Sequence, residues 1–95
     1  MSAYLIAEIE VTDPATYEEY RAQVAPTVER YGGRFLVRGG AVHELEGEWT
    51  AKRMVVIEFP DMASLREWYQ SEEYERLKRI RQRSSTATAL AVEGV

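Results

Sequence analysis

Residues Tyr4 to Val11 alternate in kind: Leu5, Ala7, Ile9 and Val11 are apolar, and Tyr4, Ile6, Glu8 and Glu10 lie between them. A period of two with one wholly apolar side predicts a strand laid against a core. The period then lengthens. Tyr17, Tyr20, Val24, Val28 and Tyr31 recur at steps of 3, 4, 4 and 3, which is one stripe of a helix. Asp13-Pro14 opens this helix, because the carboxylate accepts from free amides and proline has no N–H to leave unpaired. Pro26 removes one helical hydrogen bond, so a kink or a shortened helix is expected there. Gly32-Gly33 supplies the left-handed geometry that closes a helix.

The second half repeats the plan. Arg34 to Arg38 reads as a strand, interrupted by Gly39-Gly40 and resuming over residues 41–45. Glycines inside a strand suggest a bulge or a close backbone approach. A turn over residues 46–50 follows, then a strongly apolar strand from Arg53 to Phe59, stopped by Pro60. Asp61 caps a helix carrying Leu65, Trp68 and Tyr69. Ser71-Glu72-Glu73 reads as a fresh cap with acids facing the helix dipole, ahead of Tyr74, Leu77 and Ile80. This segment is therefore two short helices or one bent one. Thr86 to Val92 alternates again as a last strand.

The order β-α-β-β-α-β is the ferredoxin-like arrangement, an α+β fold. It predicts a single domain over residues 1–95 with a four-stranded antiparallel sheet and helices on one face. The other face is then bare, and Ile6, Met54 and Val56 fall on it among Tyr4, Glu8 and Glu58. An apolar sheet face needs a cover, and a second copy of the chain would supply one.

Composition sharpens that expectation. A chain of 95 residues buries only roughly 60–65% of its unfolded surface, so its core is thin. Small domains compensate with disulfides, a metal or a partner. With no Cys and one His, this chain has neither thiolates nor the usual zinc ligands, so a homodimer is expected and no metal. The net charge of -4 argues against nucleic acid or an anionic membrane surface as partner. No signal peptide or membrane-spanning run is visible near Met1, and cytoplasm is the default compartment.

The punctuation of the chain carries a resemblance. Its marks are Asp13 with Tyr17 and Tyr20, Tyr31-Gly32-Gly33-Arg34, Arg38-Gly39-Gly40 and Glu46-Gly47. Arg53, Glu58-Phe59-Pro60, Trp68-Tyr69-Gln70-Ser71, Tyr74, Arg81 and Val92-Glu93-Gly94 continue the series. No single motif is specific, but the ordered set resembles the domain of unknown function 1330 family (DUF1330), within the dimeric α/β-barrel superfamily. The resemblance implies a ferredoxin-like fold and a dimer whose two sheets form a barrel. It implies no activity. Members of the wider superfamily include cofactor-free monooxygenases, haem-degrading enzymes and small isomerases, and fold alone does not transfer function.

Several residues are candidates for chemistry. Glu58 interrupts an apolar strand, and a desolvated carboxylate acts as acid or base; the competing role is an ion pair with an arginine. Glu8 shares its sheet face and is its candidate partner, or else a rim residue. Arg38 and Arg53 flank the second and third strands and suit carboxylate or phosphate recognition, or they pair with Glu8, Glu46 or Glu58. His43 is the only imidazole, a candidate general base or an exposed residue. Trp68 and Tyr69, with Tyr74, offer stacking surfaces for a planar ligand, or core packing. Tyr17, Tyr20 and Tyr31 read as core, and Arg81 as a partner for a carboxylate across the fold or dimer. The basic run Arg76 to Arg83 answers the acids one turn back and the helix dipole.

Two functions from different classes follow. The first is a small-molecule site on the sheet, around Glu8, Arg38 and Glu58, doing cofactor-free acid/base or oxygen chemistry. The second is a non-catalytic dimeric binding or stress-related module in which those charges form structural ion pairs.

Overall fold

The computed structural model describes residues 1–50 and 52–95. Its elements are β1 (Ala3–Val11), α1 (Pro14–Arg30), β2 (Arg34–Arg38), β3 (Arg53–Phe59), α2 (Met62–Gln70), α3 (Glu72–Ser84) and β4 (Ser85–Glu93). The sheet order is β2-β3-β1-β4, antiparallel throughout. This is the ferredoxin-like fold, with all three helices on one face.

Each helix starts where a side chain answers its free amides. Asp13 Oδ1 accepts from the Thr16 amide at 3.3 Å, Asp61 Oδ1 from the Ser64 amide at 2.7 Å, and Ser71 Oγ from the Tyr74 amide at 3.2 Å. The second helical segment is thus two helices, separated at Ser71. α1 runs through Pro26 to Arg30, so the proline does not shorten it. Gly32, at φ +77°, ends α1, and the Gly33 amide reaches back to the Val28 carbonyl at 3.0 Å.

The core lies between sheet and helices. Ala3, Leu5, Ala7 and Ile9 of β1 and Val55, Ile57 and Phe59 of β3 are buried against Val24, Val28, Leu65, Trp68, Tyr74 and Leu77. Burying such a set of side chains, at about 1.5–3 kcal/mol each for the large ones, is what drives the helices onto this face. Cross-strand pairing puts Ile6 between Val56 and Leu90 on the opposite face, and Tyr4 between Glu58 and Val92. Leu90 and Val92 are exposed there.

Two local expectations fail. Residues 41–45 form no strand, and β2 ends at Arg38. The irregularity in β2 is not at Gly39-Gly40: the register shifts between Phe35 and Val37, leaving Leu36 as the extra residue. Among the described residues, no helix is long and apolar enough to cross a membrane.

Candidate functional site

The bulge at Leu36 decides where β2 places its charge. Phe35 pairs with Ile57, but after the shift Val37 pairs with Val56 and Arg38 with Val55. Paired residues share a face, so Arg38 points under the helices with Val55. Unbroken alternation would have set Arg38 on the same face as Glu58, and the expectation that Glu8, Arg38 and Glu58 share a face is not met. Arg53 stands two positions before Val55 and faces the same way. From above, α3 brings down a buried stripe of Tyr74, Leu77, Arg81 and Ser84.

Arg38, Arg53 and Arg81 therefore meet at one cavity beneath the helices, walled also by Arg21 of α1 and by Tyr17, Tyr20, Tyr69 and Tyr74. Its volume is about 30 Å³, close to the share of a single water in the liquid. No carboxylate and no imidazole lines it. The ion pairs among the described residues are Arg21–Glu18, Arg30–Glu73, Arg34–Glu58 and Lys78–Glu75, so of the four cavity arginines Arg21 is paired, and Arg38, Arg53 and Arg81 belong to no ion pair.

What holds these cations is weaker than a counter-charge. Arg38 Nη2 donates to the Arg21 carbonyl at 2.7 Å, and its guanidinium lies 4.4 Å from the centroid of the Phe35 ring. Burial lowers the pKa of Arg38, and the like charges of Arg21 and Arg53 push it the same way. Arg53 sits 5.8 Å from the Tyr17 ring centroid, and its Nε is buried without a hydrogen-bond partner. Arg81 is only 9% exposed. Its burial disfavours the charge, but the oxygens of Tyr74, Tyr20 and Tyr69 outweigh this and hold its pKa above the ordinary value.

Tyr20 remains a phenol. Tyr20 and Tyr74 hydroxyls are hydrogen-bonded at 3.0 Å. Burial, and then the neighbouring Tyr74, raise the Tyr20 pKa well above 10.0. The cavity wall thus offers guanidinium donors and neutral hydroxyls. Such a wall stabilises an anion, and arginine binds carboxylates in a bidentate fork. It lacks a side chain that accepts protons near neutral pH.

The other sequence candidates lie elsewhere. Glu58 faces the open side of the sheet, accepting from Arg34 Nε at 2.8 Å and Tyr4 Oη at 3.1 Å. The Arg34 hydrogen bond first, and that of Tyr4 after it, outweigh burial and hold its carboxyl below 4.5. Glu8 is on the same face, but four residues along β1 from Tyr4, the cross-strand partner of Glu58. At about 3.3 Å per residue they are roughly 13 Å apart, too far to share a proton. Glu8 borders a shallow hollow with Trp49 and Met54. His43 is exposed and borders another, with Leu45 and Trp49. Trp68 is fully buried, its Nε1 donating to Thr27 Oγ1 at 3.0 Å and its ring 4.0 Å from that of Tyr74. It braces the cavity from behind.

Of the sequence candidates, the fold therefore brings together Arg38, Arg53 and Tyr69. It adds Arg81, Tyr17, Tyr20 and Tyr74, which the sequence reading had assigned mainly to packing or to a cross-fold ion pair. A signal for Arg81 exists: Tyr74, Leu77, Arg81 and Ser84 follow at steps of 3, 4 and 3, putting a cation on a core stripe.

The family described as "Domain of unknown function (DUF1330)" matches residues 2–95. The chain belongs to that family. No curated protein matches it. Among solved structures, this DUF1330 chain is similar to a protein of unknown function from Rhodopseudomonas palustris. The TM-score is 0.77 at 15% identity, over 99% of this chain and 82% of the other. A dimeric ferredoxin-like protein of unknown function from Jannaschia sp. CCS1 matches with a TM-score of 0.76 at 15% identity, over 99% and 100% of the two chains. SnoaB, a cofactor-independent oxygenase from Streptomyces nogalater, matches at 0.63 and 16% identity, over 99% and 93%. At such identities the likeness shows the fold alone.

Proposed function

We propose that this DUF1330 protein is a homodimer that binds a small organic anion at the cavity between sheet and helices, only its carboxylate or equivalent head entering to meet Arg38, Arg53 and Arg81. The observation that carries this reading is that, of four arginines on one cavity with no carboxylate among its walls, three have no ion-pair partner, and one of these has a buried Nε without a hydrogen-bond partner. Unbalanced cations out of water are costly. An anion arriving from solution supplies the missing charge and the missing acceptor together. The dimer reading rests on the bare sheet face, where Val37, Leu90 and Val92 are exposed beside Ile6 and Val56, and on the dimer named for the Jannaschia neighbour.

Calorimetric titration with benzoate tests the site. Saturable binding is expected, one benzoate per chain, weakening as salt is added. Arg53→Met and Arg81→Met should each remove it, while leaving the denaturation midpoint unchanged or higher, since each deletes a desolvated cation. Benzoate binding that survives both substitutions would overturn the reading.

The same cations would hold an enolate or phenolate. This favours, as a second reading, the cofactor-free oxygen chemistry that the name of the Streptomyces nogalater neighbour describes. Oxygen uptake dependent on both the protein and a hydroquinone, and lost in Arg53→Met, is the result that would support it.

A further inference from the structure

A second space adjoins the arginine cavity. It is a groove of about 250 Å³ between α2 and β4, walled by Leu65, Arg66, Tyr69 and Ala91 among others. Leu5, Tyr69 and Ala89 belong to the walls of both spaces. The cavity alone has room for a small anionic head and nothing more. With the groove, the volume approaches the lower end of small-molecule sites, roughly 300 Å³.

The groove exists because of the sequence of β4. Its helix-facing positions are Ala87, Ala89 and Ala91, paired with Ile9, Ala7 and Leu5 of β1. The β1 partners are buried, yet Ala89 and Ala91 are exposed. The helices stop short of this edge strand, and methyl groups leave a shallow apolar floor where larger side chains would fill the gap. Tyr69 stands between floor and cavity, its ring 4.3 Å from Lys78 Nζ, which is itself held by Glu75 at 2.6 Å. Of the two adjoining spaces, the inner is lined by cations and the outer is largely apolar.

Resting on the anion-site reading above, we infer that the ligand is an amphipathic carboxylate, its head on the arginines and its unbranched apolar tail in the α2–β4 groove. Charge complementarity fixes the head at the inner end. The alanine floor then admits the tail, and no charged side chain opposes it there except Arg66, on the outer wall.

The test is a titration of the intact protein with straight-chain carboxylates from acetate to octanoate, followed by NMR at constant ionic strength against sodium chloride. Affinity should rise about three- to fourfold per methylene, the factor expected for burying each CH₂, until the groove is full. Ala91→Trp, at an exposed position of the edge strand, should flatten this dependence and leave acetate binding unchanged. If acetate binds but wild-type affinity does not rise with chain length, the tail assignment is wrong and the arginine site stands. A dependence that persists in Ala91→Trp also overturns the assignment. If no member of the series binds, the arginine-site reading itself fails.

Discussion

Gly39 lies directly against the guanidinium of Arg53: a Cβ built on Gly39 would stand 2.2 Å from Arg53 Nη1. Gly39 also has φ +74°, and its amide donates to the Met54 carbonyl at 2.8 Å. Any side chain there is strained twice. Gly39→Ala should cost about 1–2 kcal/mol for the left-handed backbone and push Arg53 out of its place. The expected result is a lower urea midpoint and at least tenfold weaker benzoate binding. In an Arg53→Met background the backbone cost should remain in the urea curve, with no binding left to lose.

How much of this was legible beforehand depends on range. Caps are local, and Asp13, Asp61 and Ser71 are readable because each acts on an amide three residues away. Faces of β1 and β3 are readable because strict alternation holds. The site is not, because it hangs on one residue: Leu36 is bulged out, and every later side chain of β2 changes face. Nothing in Arg34-Phe35-Leu36-Val37-Arg38 marks that position, and the visible glycines point to the wrong one. Glu58 is half legible: its sequence setting allows an arginine pair as one of two roles, but does not say which arginine. A charge in an apolar strand is conspicuous, but the Arg34 that neutralises it is aligned only by cross-strand register.

Tyr20 and Tyr74 share one hydrogen bond in a buried setting. Tyr20→Phe should cost about 0.5–1.5 kcal/mol at neutral pH, the worth of such a bond. Its alkaline behaviour is diagnostic. The folded Tyr20 pKa is raised above 10.0, so the stability it contributes is complete below pH 10 and is lost as pH rises through the folded value. Between pH 10 and the folded value, wild type should lose up to about 1.4 kcal/mol per pH unit through this one group. Urea curves at pH 9 and pH 11 should show a smaller loss for Tyr20→Phe than for wild type.

Ile6 stands at the middle of the uncovered sheet face, between Val56 and Leu90. If two sheets pair through this face, Ile6→Lys brings two ammonium groups into the centre of the joint. Light scattering should then report one chain instead of two at micromolar concentration. Each protomer keeps its own helix-side core, so far-ultraviolet circular dichroism should be unchanged. A dimer that persists in Ile6→Lys would place the contact elsewhere.

Glu58 separates a structural carboxylate from a catalytic one by the sign of a pH effect. A desolvated acid or base has a raised pKa, and its replacement by glutamine relieves the fold at neutral pH. Here Arg34 and Tyr4 hold the carboxyl below 4.5. A depressed pKa contributes stability that is present above about pH 4.5 and disappears as pH falls through the folded value. Glu58→Gln should therefore be slightly less stable than wild type at pH 7, and the two should converge as pH falls through the folded value. Arg34 is exposed, so the difference at pH 7 should be small and should shrink further in salt. Benzoate affinity should not change, because Glu58 and the arginine cavity lie on opposite faces of the sheet. A glutamine variant more stable than wild type at pH 7 would mean that this carboxylate is held against its environment, and would return Glu58 to the candidates for chemistry.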